Sequence, residues 1–160
     1  LAQFVHARAQ GTYERLLKRL GKLSLMVIDD FGLATLPDIE KQDLLEAVKA
    51  TGKPLVVVLV NGSAISVTWA QQKANAILEA WYPGEEGGTA IAETLAGVNN
   101  PAGRLPVTFY KDVKDLPPFD DYVMGNRTYR YYQGQPLYPF GYGLSYSKRI
   151  SSSRSWAAPR

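Results

Sequence analysis

Tyr13, Leu16, Leu17 and Leu20 recur at i, i+3, i+4 and i+7, the stripe of an amphipathic helix. Gly21 follows as its stop. Leu23 to Ile28 is a short apolar run closed by Asp29-Asp30, which predicts a buried parallel strand. A turn-prone stretch through Gly32 and Pro37 leads to Asp38, placed to cap a second helix whose apolar face carries Leu44, Leu45 and Val48. Gly52 and Pro54 end that helix. Leu55 to Val60 is a β-branched-rich run, four valines in six residues, bounded by Pro54 and Asn61-Gly62, the pattern of a strand covered on both faces. Ala76 to Trp81 predicts another strand, broken by Pro83-Gly84. Helical spacing then runs from Glu85 through Leu95, with acids in the first turn to complement the helix dipole. Arg104 to Tyr110 alternates as a strand does. Beyond Asp112 the density of Pro, Gly and Tyr predicts loops and short extended pieces.

The order strand, helix, strand, strand, helix, strand favours an α/β fold. The expected architecture is a three-layer α/β sandwich with a mainly parallel sheet, followed by an irregular Tyr-rich C-terminal arm. No internal repeat interrupts this order.

Composition sharpens the picture in a few places. With 46% hydrophobic and 21% charged residues over 160 positions, the chain suits one core and ordinary globular folding. It has no cysteine, which excludes a disulfide scaffold, a Cys-based zinc site and a thiol nucleophile. The net charge of +3 resolves into +4 over residues 1–22, +4 over the last fourteen residues and −5 between them. An acidic body argues against a nucleic-acid face. The longest apolar run, Leu55–Val60, falls far short of the roughly 20 residues that span a bilayer. The opening Leu1-Ala2-Gln3-Phe4 lacks the basic and apolar regions of a signal peptide. Localisation is left open.

Few residues invite a chemical role. Glu85 and Glu86 are adjacent carboxylates beside an aromatic, the weak candidates for catalysis. Their plainer reading is a helix N-terminus, where acids stabilise by about 0.3–1 kcal/mol. Neighbouring helical side chains also point apart, which suits a catalytic pair poorly. Asp29 and Asp30 end an apolar run and are candidates for metal or nucleotide, against the plainer reading of a solvated turn. His6 is the sole histidine, in a basic segment without nearby signals. Ser63 lacks the G-x-S-x-G elbow and reads as a turn residue. Tyr129 and Tyr131 offer rings that stack on sugars, and Arg127 and Arg130 offer donors to hydroxyls. The plainer reading makes the whole group Tyr129, Tyr131, Tyr132, Tyr138, Phe140, Tyr142 and Tyr146 a wrapping for the core.

Five blocks in order carry a resemblance. They are Gly52 to Ala64, Ala80-Trp81-Tyr82-Pro83-Gly84-Glu85-Glu86-Gly87-Gly88-Thr89-Ala90, Asn100 to Phe109 with Leu116-Pro117-Pro118-Phe119, Asn126-Arg127-Thr128-Tyr129-Arg130-Tyr131, and Tyr138 to Tyr146. From about Asp43 to Tyr146 the chain resembles the C-terminal α/β domain of family 3 glycoside hydrolases of the β-xylosidase/β-glucosidase type. The resemblance implies a retaining mechanism, which needs two carboxyl groups about 5–5.5 Å apart. It places the nucleophilic Asp on an N-terminal barrel, and the acid/base Glu upstream of the strand equivalent to Leu55–Val60. Neither segment is matched here. Residues Leu1 to about Asp38 instead resemble an IstB-like transposition ATP-binding protein, through Ala7 to Tyr13, Leu16 to Leu20 and Leu25 to Ala34. There Asp29-Asp30 is a Walker-B-like end, which helps hold Mg²⁺, but the G-x-x-x-x-G-K-[ST] cradle is missing.

The expected organisation is therefore a chimera. Residues 1–40 form an IstB-like fragment co-folded with the rest, 41–146 the hydrolase domain and 147–160 a disordered basic tail. The expected function is a piece of a retaining β-glycosidase, inactive alone because both catalytic carboxyl segments are missing. The alternative is a carbohydrate-binding or interaction module using the Tyr-rich arm; an ATP-dependent transposition accessory is the third reading. No cofactor is expected. Expected partners are a carbohydrate, the barrel domain of the parent enzyme and further copies of the chain; no membrane or nucleic acid is.

Overall fold

The computed structural model describes residues 6–7, 10–28 and 45–147. In chain order the elements are α1 (Tyr13–Leu20), α2 (45–50), β1 (Val56–Leu59), α3 (Thr68–Lys73), β2 (Ala76–Glu79), α4 (Gly87–Ala96), a 3₁₀ turn (Val113–Asp115) and α5 (Thr128–Tyr131). β1 and β2 pair in a two-stranded sheet. The Asn75 amide bonds to Leu55 O and the Ala80 amide to Leu59 O, so partner positions rise together and the strands run parallel. Helices joined to a parallel sheet make this an α/β fold, as the sequence pattern predicts.

The residues divide into two compact units. One comprises the chain up to Val57 together with Trp69–Leu78. Its helix α1 is the expected stripe, closed by the Gly21 amide bonding to Leu17 O at 2.8 Å. Helix α2 buries Ala47 and stops at Gly52, whose φ of 75° lies in the left-handed region that glycine adopts freely. Asn75 Oδ1 then accepts from Lys49 Nζ at 3.0 Å and from the Leu55 amide at 2.9 Å, tying the end of α2 to the entry of the sheet.

The other unit comprises Val58–Thr68 and the chain from Glu79 onward. Its centre is Phe109, 1% exposed, with Trp81 and Tyr138 set edge-on at ring distances of 6.2 and 6.0 Å. Tyr142 stacks on Tyr138 at 5.0 Å. The C-terminal arm folds back along residues 105–109: Phe109 and Tyr138 exchange backbone bonds, and the Leu105 amide donates to Tyr142 O at 2.8 Å. The Ser66 and Thr68 hydroxyls both donate to Lys111 O.

Several expectations are corrected. Leu23 to Ile28 is not a strand: Leu25 and Val27 are each 79% exposed. An apolar run becomes a strand only when a neighbour takes up its ladder bonds, and among the described residues none does so for 24–28. Arg104 to Tyr110 shrinks to the single bridge at Phe109, because Pro106 removes a ladder donor from the middle of the run. The strand drawn to Trp81 ends at Glu79; Trp81 turns to a φ of 53°, outside the β region. The helix drawn from Glu85 begins at Gly87, with no acid in its first turn. Gly84, at a φ of 71°, makes a turn that holds Glu85 and Glu86 ahead of it. Residues 55–60 are not covered on both faces, since Val56 and Val60 are exposed and only Leu59 is buried among them. The expected tail, 147–160, lies outside the described residues except for Ser147, whose hydroxyl accepts from Asn100 Nδ2 at 2.9 Å; Asp38 and the Asp29-Asp30 pair also lie outside them.

Candidate functional site

The ends of the two parallel strands hold two of the buried polar side-chain atoms that lack a hydrogen bond among the described residues, on Asn61 and Glu79. A parallel sheet presents its strand ends at one edge, where loops gather in α/β proteins. Glu79 is the last residue of β2 and Asn61 follows β1 by two positions. One carboxylate oxygen of Glu79, Oε1, accepts from the Trp81 amide at 3.0 Å. That bond closes a tight turn and explains how a tryptophan is held at positive φ, a strained conformation for so bulky a residue. The other oxygen, Oε2, is buried without a hydrogen-bond partner, as are Asn61 Oδ1 and Thr108 Oγ1. Burial raises the Glu79 carboxyl above its ordinary 4.5, and the Trp81 amide and the Asn61 side chain pull it back in part. Protonation of Glu79 removes the charge from a carboxyl whose Oε2 is shut away from solvent without a partner, which lowers the cost of burying it.

Sequence reasoning did not single out Glu79. The signal was present: one carboxylate in the otherwise apolar stretch Ala76-Ile77-Leu78-Glu79-Ala80-Trp81. An ionisable group inside a strand pattern costs free energy unless something holds it, and that asks for a reason.

The two catalytic candidates lie elsewhere in this edge. Glu86 is the residue before α4, with no side-chain capping bond, and Glu85 precedes it; both are exposed. Nothing encloses them. Among the described residues no group of three or more His, Asp or Glu side chains could hold a metal ion. His6 is exposed.

The four sugar-binding candidates separate into two kinds. Arg127 is occupied: its Nε donates to Val123 O at 3.1 Å and its Nη2 to Pro118 O at 3.0 Å and to Asp121 O. It organises the 118–123 loop, and this end of its guanidinium is committed to backbone. Tyr129, 62% exposed, stacks on Phe140 with ring centroids 4.5 Å apart. Arg130 lies over the ring of Tyr131 at 5.9 Å. Two strained positions hold this arm, Asn126 and Thr128, both at positive φ. Asn126 Oδ1 accepts from the Gln133 amide at 3.1 Å, and the Thr128 amide donates to the Tyr110 hydroxyl at 2.9 Å. The structure thus groups Tyr129 with Phe140 and Arg130 with Tyr131.

Comparison with known proteins follows the same outline. The profile of the glycosyl hydrolase family 3 C-terminal domain matches residues 24–146. That stretch starts ahead of Asp43, so residues 24–38 fall within it as well as within the region read as IstB-like. The chain is 50% identical over 112 residues to a xylan 1,4-beta-xylosidase of Xylanibacter ruminicola, covering 70% of this chain and 13% of that protein. It is 42% identical over 137 residues to a periplasmic beta-glucosidase of Salmonella typhimurium, covering 78% and 18%. With beta-D-xylosidase 1 of Arabidopsis thaliana it shares 43% over 117 residues, covering 67% and 15%. The chain therefore spans 13–18% of the length of these relatives.

Proposed function

This chain belongs to the glycosyl hydrolase family 3 C-terminal domain family, and from that we propose that it is the α/β part of a β-xylosidase or β-glucosidase. On this reading it does not carry the reaction by itself. Retaining hydrolysis takes two carboxyl groups about 5–5.5 Å apart across the scissile bond, one a nucleophile and one an acid/base. Glu85 and Glu86 are consecutive, exposed residues of a turn, a poor frame for such a pair. Glu79 has one oxygen bonded to backbone and the other shut away from solvent, so it cannot reach a sugar in this conformation. The domain's role is then to complete a larger enzyme, with the reacting carboxyl groups supplied from outside residues 45–147.

The observation that carries this reading is the run of xylosidase and glucosidase relatives that match most of this chain over less than a fifth of their own length. A domain exchange tests it. Replacing the aligned 112 residues of the Xylanibacter ruminicola protein with those of this chain is expected to give a folded enzyme whose kcat/KM on an aryl xyloside stays within about tenfold of the parent, a change of about 1.4 kcal/mol in the barrier. A folded hybrid with no xylosidase activity contradicts the proposal.

A further inference from the structure

Away from the strand ends, Asn100, Ala102, Arg104, Ser145 and Ser147 line an open cavity of about 320 Å³. That volume sits at the small end of ligand sites, the size for a single sugar ring or a smaller molecule. The walls are built by internal bonds. Asn100 Oδ1 accepts from the Tyr146 amide at 2.8 Å, and Asn100 Nδ2 donates to Ser147 Oγ at 2.9 Å. Ser145 Oγ donates to Ser147 O at 2.9 Å. Arg104 Nη1 donates to Ala102 O at 3.2 Å and to Gly103 O at 2.8 Å. Gly143 presses close against this corner: a Cβ there would lie 2.6 Å from Gly103 O and 2.9 Å from Arg104 Cδ.

What these bonds leave over is one-sided. Nη1 is spent on two carbonyls, so the Nε–Nη2 edge of Arg104 carries no hydrogen bond and no ion pair among the described residues. That edge is one of the two with which a guanidinium meets a carboxylate in parallel bonds. Ser147 Oγ accepts from Asn100, which leaves its own proton to give. No acidic residue is among the lining residues. Ser145 Oγ has given its proton to Ser147 O and keeps only acceptor capacity, while the Arg104 edge and the Ser147 hydroxyl remain as donors around a fixed positive charge. We propose that this cavity binds a small oxyanion, a carboxylate such as that of an acidic monosaccharide, through the free edge of Arg104 and the Ser147 hydroxyl. The site is independent of the glycosidase reading, since it uses none of the carboxylates discussed above.

Titration of the full ¹⁵N-labelled chain at constant ionic strength tests it, with glucuronate, xylose and inorganic phosphate as separate probes. Glucuronate is expected to shift the Arg104 side-chain Nε–H and the amides of residues 100–104 and 145–147 to saturation, while neutral xylose leaves them in place. Arg104→Gln is expected to weaken binding by about tenfold or more, the loss of a charged pair of hydrogen bonds. Ser147→Ala, which keeps Arg104 and its backbone bonds, is expected to weaken it by about threefold and covers the case in which Arg104→Gln fails to fold. Equal saturation by phosphate upholds the oxyanion site and assigns its ligand to the free ion rather than a sugar acid. The proposal falls if xylose moves the same signals as glucuronate does, if no probe moves them, or if Ser147→Ala and a folded Arg104→Gln bind as the parent does.

Discussion

Among the described residues, Glu79 is the carboxylate whose environment most changes its chemistry. Its folded-state proton affinity is raised by burial, so between pH 4.5 and the higher folded value the folded chain holds a proton that the unfolded chain has released. The stability it confers is then present below the ordinary value of 4.5 and declines as pH rises through the higher folded value. Replacing Glu79 by Gln keeps an oxygen for the Trp81 amide and removes the titrating carboxyl. We expect Glu79→Gln to flatten the fall in stability above pH 4.5 and to leave the protein at least as stable at pH 7, measured by urea unfolding across a pH series. A variant with the same pH slope as the parent removes Glu79 from this role. The residue was hidden in the sequence because a strand pattern reports which positions are apolar, not what a lone polar one touches. Arg127 was misleading for the same reason. Its type suited sugar hydroxyls, whereas its bonds run to the carbonyls of Pro118, Asp121 and Val123.

Helix α4 shows how two adjacent glycines can have opposite meanings. Gly87 is buried, and a Cβ there would sit 2.5 Å from Cγ and 2.8 Å from Cβ of Pro83, a ring that cannot swing aside. Gly88 has nothing within 4 Å of the same atom. Gly87→Ala is expected to destabilise by about 1–3 kcal/mol through overpacking. Gly88→Ala is expected to stabilise by up to about 1 kcal/mol, since alanine loses less conformational freedom in a helix. Thermal unfolding of the two variants reads both signs. Elements set by local rules were legible in the sequence: α1 by its 3.6-residue stripe, the end of α2 by Gly52, the core of β1 by its β-branched run. Elements needing a distant partner were not. Leu23 to Ile28 has strand chemistry without a paired neighbour among the described residues, and residues 104–110 have alternation interrupted by Pro106.

At the scale of the whole molecule, the described residues include a run of exposed large apolar side chains. Phe119 is 98% exposed, and Tyr122, Val123 and Met124 follow it on the loop that Arg127 fixes. A rigid loop loses little entropy when it docks, which makes such a patch adhesive. We propose that further copies of the chain meet there. Sedimentation is expected to show mass rising with concentration, and Phe119→Asp to suppress the rise; an unchanged profile moves the contact elsewhere. The five family blocks were the most legible feature of the sequence, because their order along the chain is itself a constraint. The oxyanion cavity was not legible, since Asn100, Arg104 and Ser147 meet only when the arm folds back on residues 105–109.

We propose that this polypeptide carries the α/β frame of a glycosidase domain and no working pair of carboxyl groups of its own. Turnover of 4-nitrophenyl β-D-xyloside and β-D-glucoside by the purified chain measures it directly. The expected rate is that of buffer alone, for the parent and for Glu85→Gln and Glu86→Gln alike. Hydrolysis at an ordinary enzymatic rate of about 1–1000 per second, abolished by either substitution, contradicts the claim.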